Sequence, residues 1–249
     1  MKRNEFNAQD VEIALAKVGQ TEVDAEGNEW THPIVWSYGG GKDSTAGILH
    51  MHELGIRPDL IIIADVGGEH EHTWQTVEAL DLWCRSVGFP EITVTSYYSP
   101  TTRYQSLEGN CLHNDGLPSL AYGGHSCSLK WKIEAIEDEI WGIEGWEPAH
   151  KALEQGVRVT RCIGYDYGCA DSKRFAKVDK VEKADEASGK FLHWKNRYPL
   201  REWQLSREDL DATIASHPEF VDMLEDYTGS RTVRKSSCFF CPAMKVEDD

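Results

Sequence analysis

Ser37-Tyr38-Gly39-Gly40-Gly41-Lys42-Asp43-Ser44 is the stretch of this chain best equipped for chemistry. Pro33-Ile34-Val35-Trp36 before it reads as a short buried strand. Thr45-Ala46-Gly47-Ile48-Leu49-His50-Met51 after it opens a helix with one apolar side. Glycines between a strand and a helix let the backbone turn sharply and bring N–H groups close to an anion. The helix N-terminus adds further N–H donors and a positive dipole end. Lys42 brings a mobile charge and Ser44 a hydroxyl, so the stretch predicts a phosphate cradle.

Two further groupings could work beside it. Ile63-Ala64-Asp65-Val66-Gly67-Gly68-Glu69-His70-Glu71-His72-Thr73 falls at the end of the next apolar run. His70 and His72, two positions apart ahead of a helix, are expected to point apart, with Glu69 and Glu71 complementing the helix dipole. Cysteine supplies the other grouping. Of seven cysteines, only Cys238 and Cys241 form a C-x-x-C pair, and Cys127 stands far upstream. Cys84 and Cys162 lie within apolar segments and read as core residues.

The phosphate stretch is not a Walker A loop, because Asp follows Lys and the glycines are contiguous. It resembles the S-x-S-G-G-K-D-S loop of the PP-loop (N-type) ATP pyrophosphatases, within them the phosphoadenosine phosphosulfate (PAPS) reductase-like branch of the adenine nucleotide alpha hydrolase family. Gly39 stands where that branch usually has Ser. Residues 63–73 resemble its D-T-G-x-E-x-x-x-T segment, which implies that Asp65 and Gly67 line the nucleotide pocket. Cys127-Ser128-Leu129-Lys130-Trp131-Lys132-Ile133-Glu134 resembles the C-C-x-x-R-K-x-E segment of adenylylsulfate reductases, with Lys132 on the family Lys and Ser128 replacing the second Cys. Gly164–Arg174 looks like a loosened G-I-R-x-x-E-S-x-x-R, which puts Arg174 among the phosphate or sulfate contacts.

The resemblance covers residues 32–205 and the C-x-x-C, and it implies a functional assignment. The nucleotide, ATP or an adenylyl nucleotide with Mg²⁺, is expected on Ser37, Gly39, Gly40, Gly41, Lys42, Asp43, Ser44, Asp65, Gly67 and Arg174. Lys42, Asp43 and Lys132 are the expected catalytic groups. Cys127, Cys238 and Cys241 are the expected ligands of a 4Fe–4S cluster or, alternatively, of zinc, with Cys111 or His125 available to complete the set. Sulfonucleotide reductases finish with a nucleophilic cysteine in an E-C-G-x-H tail, and no cysteine follows Cys241 here. That moves the expected chemistry from reduction to adenylation: attack on the α phosphate, release of pyrophosphate, then iron–sulfur-dependent sulfur transfer to an acceptor such as tRNA or DNA. An APS/PAPS reductase and an inactive nucleotide-sensing or assembly subunit are the alternatives.

Composition sets bounds on this reading. The net charge of −16 opposes non-specific adhesion to nucleic acid, so such an acceptor would need a local basic patch. Lys173–Lys177 and Arg231–Lys235 are the candidates, and nucleotide phosphates are their expected partners. No run approaches the roughly 18 apolar residues of a membrane span, and the first residues lack an apolar h-region, so the expected location is cytoplasmic. Homo-oligomerisation is left open.

The elements that must position these groups alternate along the chain. Strands Ile34–Trp36, Leu60–Ala64 and Ile92–Ser96 are separated by helices Ser44–Leu54 and Thr73–Val87. This predicts an α/β, doubly wound parallel sheet of about five strands with a small C-terminal metal-binding extension. Further helices are expected over Leu129–Trp141, Glu147–Gln155 and Pro218–Tyr227, with one capped by Ser206, and strands over Val157–Ile163 and Phe191–Tyr198. Residues 97–126 show no period, and residues 165–190 read as a flexible flap. The expected units are 1–30, an N-terminal helical extension, 31–205, the nucleotide-binding domain, and 206–249, a helical segment with the C-x-x-C.

Overall fold

The structure is a computed structural model that describes residues 6–118, 127–189 and 192–242; the side chains of Leu129, Cys169, Ala170, Asp171, Lys173 and Arg174 lie outside that description. Its centre is a five-stranded parallel sheet in the order β5-β4-β3-β6-β7. The strands are β3 (Ile34–Ser37), β4 (Leu60–Asp65), β5 (Ile92–Ser96), β6 (Val159–Ile163) and β7 (Trp194–Arg197). A separate antiparallel pair, β1 (Thr21–Val23) with β2 (Glu29–Thr31), precedes the sheet.

Apolar runs as continuous as Leu60-Ile61-Ile62-Ile63 belong in a sheet covered on both faces, since alternate side chains leave on opposite sides. Ile34, Trp36, Ile61 and Ile63 enter one core with α2 (Lys42–Glu53), α3 (Glu71–Ser86), α8 (Pro199–Glu202), α9 (Arg207–Ala215) and α10 (Pro218–Thr228). Val35, Leu60, Ile62 and Ala64 enter the other with α1 (Ala8–Lys17), α5 (Ala135–Trp141) and α6 (Glu147–Glu154). Trp36 and Trp83 are almost fully buried, and each such side chain contributes on the order of 2–3 kcal/mol of hydrophobic stabilisation. Leu210, Ile214, Phe220 and Leu224 place α9 and α10 in the same core as β3, so these helices are packed onto the sheet.

Three expectations need correction. Residues 165–190 are not a loose flap: α7 (Cys169–Ala187) runs for 19 residues. It has no apolar stripe, so periodicity could not reveal it. Good helix formers and spaced ion pairs such as Lys183–Asp179 (2.8 Å) sustain it instead. Asn196 and Arg158 tie it to the sheet through Glu182 and Glu186. The unpatterned region contains α4 (Leu107–His113), started by Ser106, whose Oγ accepts from Gly109 N at 3.0 Å. The helix expected from Leu129 begins as a π-helical turn, Ser128–Glu134, before continuing as α5. Such turns are uncommon and often mark functional positions.

A candidate nucleotide site at the switch point of the sheet

The chain proceeds from β3 outward to β4 and β5, then returns to the other side of β3 as β6 and β7. The carboxyl ends of β3 and β6 therefore flank a crevice, the place where open α/β sheets take ligands. Residues 38–41 fill it. Gly40 has φ +70, and a Cβ there would stand 2.6 Å from Thr73 Cγ2, so both its conformation and its surroundings require glycine. Ser44 Oγ accepts from Gly39 N at 3.2 Å and donates to Gly41 O at 3.1 Å, bracing the turn from inside. Tyr38 hydroxyl and Thr45 Oγ1 meet at 3.1 Å, and burial pushes the phenol well above its ordinary range. From β6, Gly164 approaches so closely that a Cβ would lie 3.1 Å from Ser44 Cα.

Gly41 is the N-cap of α2 and supplies no side-chain cap, so the first-turn amides keep their donors for another partner. Ser37 ends β3, and Asp43 lies in the first turn of α2. Lys42 leans toward α9, its Nζ 2.5 Å from Asp211 Oδ1. Both line a cavity of about 560 Å³ with Ile214, Val221, Arg231 and Val233.

The next strand end is equally constrained. Asp65 Oδ1 accepts from Gly67 N at 2.7 Å, holding Gly67 at φ +69. A Cβ on Gly67 would strike Ser106 Cβ at 2.4 Å, and Leu107 N donates to Val66 O at 2.8 Å. The loop after β4 is thus bound to the start of α4. His70 and His72 do not point apart as expected; their rings stack with centroids 5.1 Å apart. Nor is Glu69 a surface dipole partner: its carboxylate is buried and pairs with Lys132 Nζ at 2.9 Å.

Residues 235–241 form a strap on this loop. Glu69 and Cys238 make an antiparallel bridge, His70 N donates to Ser237 O at 3.2 Å, and Phe239 N donates to Gly68 O at 2.9 Å. The strap carries the C-x-x-C, closed by Cys241 N donating to Cys238 O at 3.0 Å. Cys127, Cys111 and Cys238 all pack against a small cluster of Val66, Leu107 and Trp131. Burial, reinforced by Glu69 and opposed by Lys132, pushes the Cys238 thiol up to about 12.

The expected thiolate ligands therefore share one neighbourhood. They do not converge on a point: among the described residues, no three His, Cys, Asp or Glu side chains stand in ligating geometry. His125 lies outside the described residues, as does the side chain of Arg174, whose backbone belongs to α7. Cys84 and Cys162 are fully buried in the main core, as their apolar segments imply.

Sequence reasoning missed Glu69 as an ion-pair partner, and it missed Asp211 and Arg201. Arg201 donates to Asp166 O at 2.7 Å and to Ser172 Oγ at 3.2 Å, shaping the turn after β6. Each of these acts on a distant segment, so no local pattern marks it.

Neither any protein-family model nor any curated protein matches this chain. Among the described residues, no helix is long and apolar enough to cross a membrane.

Proposed function

We propose that this chain is a PP-loop enzyme of the PAPS reductase-like kind, with the doubly wound fold of the adenine nucleotide alpha hydrolases. It binds ATP or an adenylyl nucleotide with its phosphates on Gly39–Ser44. It cleaves ATP at the α phosphate, adenylating an acceptor for sulfur transfer. The observation that carries this reading is the uncapped N-terminus of α2 behind a glycine turn, at the switch point between β3 and β6. Lys42 is the cation within reach of a leaving pyrophosphate once it exchanges Asp211 for phosphate oxygen. Mg²⁺ bound with the nucleotide would neutralise phosphate charge, with Asp43 as its protein-side ligand. Asp65 and Gly67 shape the adjoining wall of the pocket.

Cys127 and Cys238 pack against one small apolar cluster and Cys241 lies on the same strap, and thiolates so gathered are the donors that a zinc ion or an iron–sulfur cluster takes. These three would hold a 4Fe–4S cluster or, alternatively, zinc, and a cluster supplies a docking point for inorganic sulfur when bound. The acceptor belongs to the nucleic acids or another nucleophile presented to the adenylyl group.

The test is pyrophosphate release from ATP with Mg²⁺, compared between wild type and Lys42→Ala. Release by wild type that is abolished in the variant supports the enzyme. A second reading, a nucleotide-binding subunit without turnover, is favoured by the ion pair that occupies Lys42. Tight ATP binding with no pyrophosphate released would select it.

A further inference from the structure

Ser236 stands at the glycine loop although it comes from the other end of the chain. A Cβ built on Gly41 would lie 2.9 Å from Ser236 Oγ and 3.3 Å from its amide nitrogen. The side chain therefore rests against the N-cap of α2, beside the amides that the helix leaves uncapped. Neighbouring contacts hold it there. His72 Nε2 lies 3.3 Å from Lys235 O, and Ser237 and Cys238 are bonded to the loop after β4. Phe240 covers Gly68 so tightly that a Cβ on that glycine would meet its ring at 2.5 Å. Ser236 and Arg234 make no hydrogen bond or ion pair among the described residues.

A hydroxyl without a partner among the described residues and a backbone amide are thus presented where the loop would receive phosphate. Gly39 offers no side chain of its own at that turn.

We propose that Ser236 is a phosphate-binding residue of the nucleotide site, donating its hydroxyl to a phosphate oxygen held on Gly41–Ser44. The strap is then part of the pocket wall, and a bound phosphate chain ties the Cys238–Cys241 segment to the loop. This inference rests on the nucleotide reading above and adds to it a specific contact. It requires discrimination by phosphate content: adenosine reaches the site without touching Ser236, whereas ATP does not.

The experiment is calorimetric titration of the full chain, wild type, Ser236→Ala and Ser236→Thr, with ATP and with adenosine. Loss of one hydrogen bond to a charged oxygen predicts about tenfold weaker ATP binding in the alanine variant. Adenosine affinity should be unchanged, and threonine should restore ATP affinity. Hydrogen exchange supplies a second readout: in wild type, ATP but not adenosine should slow the amides of residues 236–240. Wild-type ATP affinity in Ser236→Ala, with no added protection of the strap, overturns the inference and leaves the nucleotide reading standing. A wild-type protein that binds no adenine nucleotide overturns both. Equal losses for ATP and adenosine also overturn it, since a general distortion of the strap would then account for the effect.

Discussion

Lys132 reaches Glu69 across 63 residues of sequence, its Nζ 2.9 Å from Oε1, and so ties the π-helical turn to the loop behind β4. The partners are unequal. The Glu69 side chain is 3% exposed and its second carboxylate oxygen has no hydrogen-bond partner among the described residues, whereas Lys132 is 41% exposed. Burial opposes the ammonium charge, but Glu69 outweighs it and holds the Lys132 pKa above its ordinary value.

Removing only the cation should therefore cost more than removing both charges. Lys132→Met leaves a buried carboxylate beside Cys238 and should lower stability by about 1–3 kcal/mol, solvent at the lysine keeping the figure below that of a fully buried pair. Glu69→Gln combined with Lys132→Met should recover most of the loss. Urea unfolding of the four members of the cycle checks this, and simple additivity would refute the coupling.

At the loop, Lys42 is paired with Asp211, which would compete with phosphate for it under the proposed nucleotide reading. Asp211→Asn should tighten ATP binding several-fold, and Lys42→Ala should weaken it by about tenfold or more, each without changing adenosine affinity. Calorimetry with both ligands measures the two effects. Weaker ATP binding in Asp211→Asn would mean that the carboxylate helps rather than competes.

Gly47 tests helix-to-sheet spacing. An exposed Gly→Ala change inside a helix normally stabilises by about 1 kcal/mol. Here a Cβ would meet the Trp36 ring at 2.4 Å, and overpacking of that kind costs about 1–3 kcal/mol. The net expectation is destabilisation, with α2 displaced and ATP affinity reduced. Thermal unfolding and ATP titration of Gly47→Ala read both, and a stabilised variant would show that the contact relaxes freely.

The pH dependence of folding has one clear contributor in the β1–β2 pair. Burial by itself would raise the Asp24 pKa, but bonds from Trp30 Nε1 (2.9 Å), Asn28 Nδ2 and the amides of Asn28 and Glu26 hold it below the ordinary 3.8. A depressed carboxylate stabilises the fold above its unfolded-state pKa and loses that contribution as pH falls through the folded value. Asp24→Asn should be less stable than wild type at neutral pH by about 1–2 kcal/mol. The difference should shrink once pH drops below 3.8. Denaturant titrations across that range decide it; a constant difference would remove the charge from the explanation.

For the cysteines, protein purified without oxygen should contain iron and acid-labile sulfide, measured by elemental and sulfide analysis. Cys127→Ser and Cys238→Ser should lose both, whereas Cys84→Ser, in the main core, should retain them. Zinc without sulfide would select the alternative metal, and metal-free protein would remove the sulfur-transfer reading.

The parallel sheet was legible because its determinants are local: β4 is a short apolar run, β5 is rich in β-branched residues, and α2 and α3 have spaced apolar residues between them. The glycine turn was legible for the same reason, as Gly40 needs positive φ and Gly41 caps a helix. Helix α7 was hidden because its stability comes from charge pairs and propensity, which leave no hydrophobic period. The stacking of His70 on His72 and the Lys132–Glu69 pair were hidden because tertiary packing, not spacing, aims those side chains.

The strap has a kinetic corollary. Lys235 meets His72 across 163 positions of sequence, so this wall of the pocket is built from one of the longest-range pairings in the protein. Closing so large a loop must precede the contacts that reward it, which makes such pairings late and slow to form. A ribosome-bound chain that had emerged only through β7 could assemble the five-stranded sheet and its glycine turn. It would still present the crevice without Ser236 and Cys238, leaving that wall unbuilt until synthesis had passed them.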